Sequence, residues 1–211
     1  MIATYLTNAC RLEGIPIIYQ GQEQHYAGGE TPGNREALWL SGYSTNSELY
    51  KWITKLNRIR TWAIAQDPGY LAYRAWPVYS DSHTIAMRKG FGGTQVLGIF
   101  TNSGSSSSPS ITLSGLDTGF GPNQAVTDVM SCSSLIADSD GGMTVTLAGG
   151  ISRVLYPTHA LLGSGICSPG GTTTSTRADI SSSRPTPTHS DTTRTTATAC
   201  AATMAPLPSP I

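Results

Sequence analysis

The sequence has little charge, and its charges are balanced. Only 12% of the 211 residues are charged, and 13 basic side chains match 13 acidic ones. Proteins that bind nucleic acid or an anionic membrane surface need a concentrated positive patch. The longest basic cluster here is Arg88-Lys89, which fits a solvated strand end. The composition therefore argues against nucleic acid and against a charged membrane as partners.

Long apolar runs are also missing. No segment reaches the roughly 18 consecutive apolar residues that a membrane-spanning helix needs. Residues 1–14 do not resemble a secretory leader, because polar side chains interrupt them and no basic residue starts them. The sequence contains no Asn-x-Ser/Thr site for N-glycosylation. We therefore expect no membrane span, no signal peptide and no N-linked glycan in this chain.

Cysteine is scarce, and the four cysteines lie far apart in the sequence: Cys10, Cys132, Cys167 and Cys200. None forms the C-x-x-C pair of a zinc or redox site, so we expect no metal site here. From spacing alone, Cys132 and Cys167 either form a disulfide or remain two free thiols. A Ser/Thr-rich tail favours the disulfide, because such tails are typical of secreted proteins. The pairing of Cys10 and Cys200 stays open.

A short apolar run at residues 15–19 is followed by a polar loop, and this pattern gives the first indication of the fold. Residues 15–19 predict a strand buried on both faces, and the loop at 20–26 is rich in Gln, Glu, His and Tyr. Apolar residues then recur at three- and four-residue steps, which predicts a helix over about 46–65. Thr45 and Glu48 have the spacing of a capping box at its start. Strand, loop and helix form one unit of a parallel α/β fold, where the loop carries the site.

Beyond Asp67-Pro68-Gly69 the pattern changes from helical to extended. Short strands separated by Gly, Asn and Pro turns predict an antiparallel sandwich, with strands at 70–74, 78–80, 84–89, 95–101, 110–113, 125–128, 143–147 and 152–156. Residues 168–199 differ again, because Ser and Thr dominate and no aromatic residue is present. Such a segment predicts an extended, O-glycosylated linker that cannot bury a core.

Several long motifs, in a fixed order, resemble secreted fungal α-amylases. They are GIPIIYQGQEQHYAGG at 14–29, NREALWLSGY at 34–43, SELYK at 47–51, TIAMRKG at 84–90 and GGISRVLYP at 149–157. The resemblance implies an α/β fold for residues 1–68, as the C-terminal fragment of a (β/α)₈ catalytic barrel. It implies a Greek-key-like antiparallel β-sandwich for residues 69–168. Residues 169–211 would be a disordered Ser/Thr/Pro-rich linker and the vestigial start of a starch-binding domain.

The resemblance also implies a chemistry that this chain does not complete. The family hydrolyses internal α-1,4 bonds of starch with retention, which needs two carboxyl groups about 5 Å apart. In the family these carboxylates and the ligands of a structural calcium come from earlier sequence, and Glu23, Glu30 and Glu36 do not match them. We therefore expect no catalytic residue, no metal ligand and no cofactor here. The expectation is an inactive, truncated portion of a secreted, monomeric enzyme acting on starch or maltooligosaccharide.

One residue of the resembling motifs carries a substrate contact. Arg35 matches an arginine that contacts substrate hydroxyls, and a planar guanidinium with five donors suits that role. The alternative is an arginine that anchors its loop by pairing with Glu30 or Glu36. The family has an aspartate four residues earlier that also touches sugar. Here Thr31 takes that place, which keeps hydrogen bonding without the charge.

The remaining polar and aromatic candidates favour structural roles. His25 and Tyr26 either face the cleft or pack the loop, and packing is favoured. The helical spacing of Trp52 and Trp62 favours core positions over a sugar platform.

A second hypothesis treats residues 70–168 as a non-enzymatic, starch-associating or structural sandwich module. Its candidates for stacking on glucose rings are Trp76 and Tyr79, although packing of the sandwich is favoured for both.

The family resemblance independently implies that Cys132 and Cys167 form a disulfide.

Overall fold

The computed structural model describes residues 17–168. The expectations for Cys10, Cys200, the Ser/Thr-rich tail and the first half of the predicted strand at 15–19 lie outside these residues. A long helix, α1 (Glu48–Gln66), follows three single-turn 3₁₀ helices at Gln22–Gln24, Gly33–Arg35 and Leu38–Ser41. A further 3₁₀ turn, Pro68–Leu71, leads to eight strands. Among residues 17–168, none of the helices has both the length and the hydrophobicity of a membrane-spanning segment.

The strands form two antiparallel sheets. Their bounds are β1 (Trp76–Ser80), β2 (Thr84–Lys89), β3 (Val96–Thr101), β4 (Ser110–Leu113), β5 (Ala125–Asp128), β6 (Ser133–Ile136), β7 (Met143–Thr146) and β8 (Arg153–Pro157). The larger sheet has the order β1-β2-β3-β8-β5-β6, and β4 pairs with β7 in the smaller one. Because β8 returns to lie between β3 and β5, the topology is Greek-key-like. This confirms the predicted all-β antiparallel class for this part of the chain.

The six-stranded sheet is buried on both faces in its middle. Alternate residues of β8 point to opposite sides, as the period of two in a strand requires. Leu155 belongs to the core between the two sheets, whereas Val154 and Tyr156 belong to a second core beneath α1. In β3, Leu97 belongs to the core between the two sheets, and Val96 belongs to the core beneath α1. The sheet is therefore covered by β4 and β7 on one side and by the helix on the other.

Helix α1 packs on the sheet through residues three and four positions apart. Leu56, Ile59 and Ala63 are each at most 1% exposed and share a core with Val154 and Tyr156. Ile53 and Leu49, one and two turns nearer the N-terminus, instead pack against Ile18. One apolar stripe thus binds both the sandwich and the segment before the cleft loop. We call this packing of Leu56, Ile59 and Ala63 on the sheet the helix–sheet core.

Tyr156 is the largest fully buried side chain of this region. Its hydroxyl has no hydrogen-bond partner among the described residues. Burial, followed by the nearby Tyr70 and Asp67, raises the pKa of Tyr156 to about 12. The phenol therefore stays neutral in the helix–sheet core, because ionisation would place a charge in an apolar environment.

Three local predictions differ from the structure. Residues 17–19 form no strand, because a parallel strand requires hydrogen-bonded neighbours and the described residues supply none. The predicted capping box is wrong: Ser47 is the N-cap of α1, no side chain caps the helix there, and the Ser47 hydroxyl donates to the Glu23 carbonyl instead. The predicted strand at 70–74 is wrong as well. The Asp67 carboxylate accepts from Gly69 N at 2.9 Å and starts a 3₁₀ turn in its place.

We expect Leu56→Ala to destabilise the protein by about 2–5 kcal/mol, because it leaves a cavity in a closely packed core. Urea unfolding followed by circular dichroism measures this change. Lys51→Ala, at an exposed position of the same helix, should change the free energy of unfolding by less than about 0.5 kcal/mol. Equal effects of the two substitutions would show that α1 does not pack on the sheet.

Candidate functional site

An open cleft of about 770 Å³ lies along the loops that precede α1. Apolar atoms make up most of its lining surface, and amides, hydroxyls, backbone groups, one cation and one carboxylate supply the polar part: Tyr19, Gln20, Gln22, Tyr26, Ala27, Gly28, Gly33, Asn34, Arg35 and Glu36. Donors and acceptors at several points with little net charge suit a neutral polyhydroxyl ligand better than an anion or a metal ion.

The floor of the cleft is a tight loop closed by backbone hydrogen bonds. Tyr26 N donates to Gly21 O at 3.0 Å, and Gly21 has a φ of 88°. A Cβ atom on Gly21 would lie 2.3 Å from the Tyr26 ring, so only glycine fits there. The Tyr26 hydroxyl donates to Ala37 O at 3.0 Å, which ties this loop to the next one. Tyr26 therefore packs the loop, as predicted, and also lines the cleft.

His25 connects the cleft loop to the start of α1. Its Nε2 accepts a hydrogen bond from Leu49 N at 3.3 Å, in the first turn of the helix. The Ser47 hydroxyl donates to the Glu23 carbonyl, and Gln24 Nε2 donates to Ser44 O at 3.2 Å. These contacts confirm loop packing as the role of His25. They also fix the position of the cleft floor relative to the helix.

Arg35 ends a 3₁₀ turn, Gly33–Arg35, that starts after a cis Thr31–Pro32 peptide bond. Arg35 N donates to Pro32 O at 3.0 Å, and Asn34 N donates to Glu30 O at 3.1 Å. The Arg35 side chain is exposed and lines the cleft. Among residues 17–168 no hydrogen bond or ion pair engages its guanidinium, so the alternative of a loop anchor through Glu30 or Glu36 has no contact to support it.

Thr31 and the acidic residues occupy different positions around this turn. Thr31 is exposed but is not among the residues that line the cleft. Glu36 lines the cleft, and Glu30 is exposed beside it. The Glu23 carboxylate accepts from Gly21 N at 3.1 Å and so closes the loop. Nowhere in the described part of the chain do three or more His, Cys, Asp or Glu side chains gather to hold a metal ion.

Cys132 and Cys167 are joined in a disulfide, with their Cα atoms 5.2 Å apart.

The buried carboxylate of Asp128, which the sequence pattern did not reveal, lies close to this disulfide in the sequence. Asp128 is 2% exposed, and it accepts from Ser131 Oγ at 2.7 Å and from Arg153 Nη1 at 3.2 Å. A buried aspartate with a charged partner and several donors fixes the turn that presents Cys132.

The tryptophans of α1 pack against the sandwich. Trp52 and Trp62 are half-buried against the helix–sheet core, as the helical spacing predicts. Trp62 Nε1 donates to Ala160 O at 2.7 Å, which attaches α1 to the segment after β8.

The two aromatic candidates on the sandwich differ in exposure. Tyr79 is half-buried against the core between the sheets, and its hydroxyl donates to Asp81 Oδ2 at 2.8 Å. That hydrogen bond raises the pKa of Tyr79. The backbone N–H of His83, and then the Tyr79 hydroxyl, hold the pKa of Asp81 below its usual value. Trp76 is 51% exposed, and the Arg74 guanidinium lies 5.8 Å from its ring centroid.

Comparison with known proteins gives a consistent result. Residues 77–176 match the family model for alpha-amylase, domain C. The chain is 49% identical over 155 residues to alpha-amylase 1 of Schwanniomyces occidentalis, which covers 74% of this chain and 30% of that protein. It is 51% identical over 156 residues to alpha-amylase 1 of Lipomyces kononenkoae, covering 74% of this chain and 25% of the relative.

A solved structure shows the same arrangement. The alpha-amylase from Malbranchea cinnamomea superimposes with a TM-score of 0.74 at 43% identity, covering 79% of this chain and 34% of that one. The chain thus spans about a third or less of the length of the relatives that it matches.

We expect the double substitution Cys132→Ser/Cys167→Ser to lower the free energy of unfolding by about 3–4 kcal/mol, because the bond closes a loop with a sequence separation of 35 residues. Urea unfolding measures the loss. Dithiothreitol should bring the unsubstituted chain to the same stability and leave the variant unchanged. A variant as stable as the oxidised chain would contradict a structural role for this bond.

Proposed function

The chain belongs to the alpha-amylase family, and we propose on that basis that residues 17–66 form one wall of a cleft that holds an α-1,4-linked glucose chain. The observation that carries the proposal is the exposed Arg35 guanidinium in a cleft that has little net charge and offers both apolar surface and hydrogen-bonding groups. Its donors are not used by other described residues, so they are available to sugar hydroxyls. Because the chain covers only part of its relatives, the activity of the whole enzyme is itself a proposal.

We propose the following division of the chain. Residues 1–68 are the C-terminal fragment of the (β/α)₈ catalytic domain, and residues 69–168 are the C-terminal β-sandwich. Residues 169–211 are a Ser/Thr/Pro-rich linker with the vestigial start of a starch-binding domain. The whole enzyme is secreted and monomeric and binds calcium through residues outside this chain. The disulfide supports secretion, because such bonds persist in oxidising compartments.

Arg35 has the chemistry of a substrate-positioning residue. Its guanidinium is a cation that presents several donors in a rigid plane. Hydrogen bonds to a charged group contribute about 1.5–3 kcal/mol each, more than neutral ones do. Thr31, in the same turn, adds at most a neutral hydroxyl contact. We therefore assign most of the binding energy of this wall to Arg35.

The carboxylates near the cleft do not supply the catalytic pair. A retaining glycosidase needs a nucleophile and an acid/base about 5 Å apart across the scissile bond. Glu23 is engaged with Gly21 N, and neither Glu30 nor Glu36 matches a catalytic position of the family. We propose that both catalytic groups come from another part of the enzyme and that this chain alone does not hydrolyse starch.

A second candidate function is a non-enzymatic, starch-associating or structural role for the sandwich. Two observations favour it: Trp76 is exposed, and the core between the two sheets is formed by residues of the sandwich alone. Arg74 already lies over the Trp76 ring, which makes stacking on a sugar compete with an existing contact. The cleft at Arg35 therefore remains the better supported site.

Arg35→Ala should weaken binding of maltoheptaose to the full chain about tenfold or more, because it removes a charged donor from the cleft. Isothermal titration calorimetry measures the dissociation constant. Arg35→Lys should give an intermediate value, since a lysine keeps the charge but loses the planar donors. Lys51→Ala, an exposed cation on α1, is the matched control and should change nothing. An unchanged dissociation constant in Arg35→Ala would exclude the proposed contact.

The purified chain should release no reducing sugar from soluble starch above a heat-denatured control. The physical reason is the missing pair of catalytic carboxyl groups. A preparation expressed and purified in parallel as Arg35→Ala controls for contaminating amylase. Release that depends on Arg35 would contradict the proposed inactivity of this chain.

A further inference from the structure

A second groove, of about 420 Å³, lies between α1 and the segment that follows β8. Its walls are one face of the helix and the residues around Ser164. The volume falls within the roughly 300–1,000 Å³ that is usual for small-ligand sites. The lining residues used below are Thr54, Asn57, Arg58, Thr61, Trp62 and Ser164.

The groove is held in shape by contacts on both walls. Trp62 Nε1 donates to Ala160 O at 2.7 Å, which fixes the indole ring against the core. Arg58 Nη2 donates to Gly165 O at 3.2 Å and connects the two walls. The disulfide at Cys167 then anchors the end of the same segment. The indole is therefore oriented before any ligand binds, which lowers the entropic cost of binding.

The helical wall carries neutral polar side chains and a single cation, Arg58. Thr54, Asn57 and Thr61 are exposed and follow one another at steps of three and four residues, so they lie along one face. The Thr54 hydroxyl already donates to Tyr50 O at 2.8 Å. The Asn57 amide and the Thr61 hydroxyl are therefore the groups that can both donate to and accept from a ligand. No carboxylate lines the groove, and its one cation, Arg58, is already bound to a carbonyl. This chemistry fits a neutral polyol and disfavours an anion or a metal ion.

The combination of an oriented indole with neutral hydrogen-bonding groups suits a sugar ring. The C–H face of a glucose unit is apolar and packs against an aromatic ring, while its hydroxyls bond to amides and hydroxyls at the edge. In the absence of a ligand, water forms hydrogen bonds with the exposed Asn57 and Thr61 that are equivalent to those of a sugar hydroxyl. The net gain in binding free energy therefore comes mainly from the contact between the sugar and the Trp62 ring.

We propose that this groove is a second binding site for a short α-1,4-linked glucose oligomer. Trp62 supplies the apolar platform, and Asn57 and Thr61 bind the sugar hydroxyls. The identity of the sugar rests on the proposed function, whereas the groove itself rests on the contacts above. Such a site retains the chain on a glucose polymer through a surface that does not include Arg35.

Indole N–H signals in a ¹H–¹⁵N spectrum of the full chain test this proposal. The four tryptophans give four such signals, which single Trp→Phe variants assign. Titration with maltohexaose should shift the Trp62 signal saturably, and cellohexaose, its β-linked isomer, should do so far less. Asn57→Ala/Thr61→Ala should weaken the binding reported by Trp62 about tenfold while leaving the Arg35-dependent affinity unchanged. Both substituted side chains are exposed, so the fold should survive, and circular dichroism verifies this.

The matched control is Thr112→Ala/Thr144→Ala, which removes two exposed hydroxyls from the smaller sheet. It should leave the titration of Trp62 unchanged. A Trp62 signal that does not move, or that moves equally in the Asn57/Thr61 variant, would overturn the proposal. A shift confined to Trp76 would place sugar binding on the sandwich instead and would also overturn it. If Arg35→Ala has no effect while Trp62 still titrates, the proposed function fails and the groove stands.

Discussion

The helix–sheet core is the interaction on which the rest of the described structure depends. The loops and the single α-helix of residues 17–66 bury little apolar surface by themselves, and most of the stability of a helix in a protein comes from tertiary packing of its apolar face. Leu56, Ile59 and Ala63 find their partners on β3 and β8, which belong to the sandwich. Each fully buried Leu or Ile contributes about 1.5–3 kcal/mol through removal of apolar surface from water. The helix is thus stabilised by a domain that follows it in the sequence.

Polar contacts at the border of this core give it a fixed orientation. Lys55 Nζ, Arg58 Nη2 and Trp62 Nε1 each donate to a backbone carbonyl of the sandwich side, at 2.7, 3.2 and 2.7 Å. The acceptors lie on the two segments that the disulfide joins. At the other end of the helix, bonds from Ser47 and Leu49 hold the cleft loop. The position of the cleft wall is therefore set through α1 by the sandwich.

The sequence predicted those parts that depend on local pattern. Regular spacing of apolar residues identified α1 to within about two residues, and β2, β4 and β5 have their predicted bounds. β6, Ser133–Ile136, was missed because two of its four residues are serines and its pairing with β5 is a tertiary contact. The role of Asp128 was also not predicted, because its charged partner, Arg153, lies 25 residues away in the sequence. Arg35 was identified only through the resemblance of a whole motif. Only the structure shows that no described residue bonds to its guanidinium.

Hydrogen exchange of the full chain tests most directly whether α1 and the sandwich form one cooperative unit. The amides of residues 56–63 should exchange as slowly as those of β3 and β8, and all three should lose protection together as urea is raised. That result is expected because α1 and the sheet share one buried core, so that opening one of them exposes the other. Helical amides that exchange through a separate, lower-energy opening, while β3 and β8 remain protected, would contradict the account.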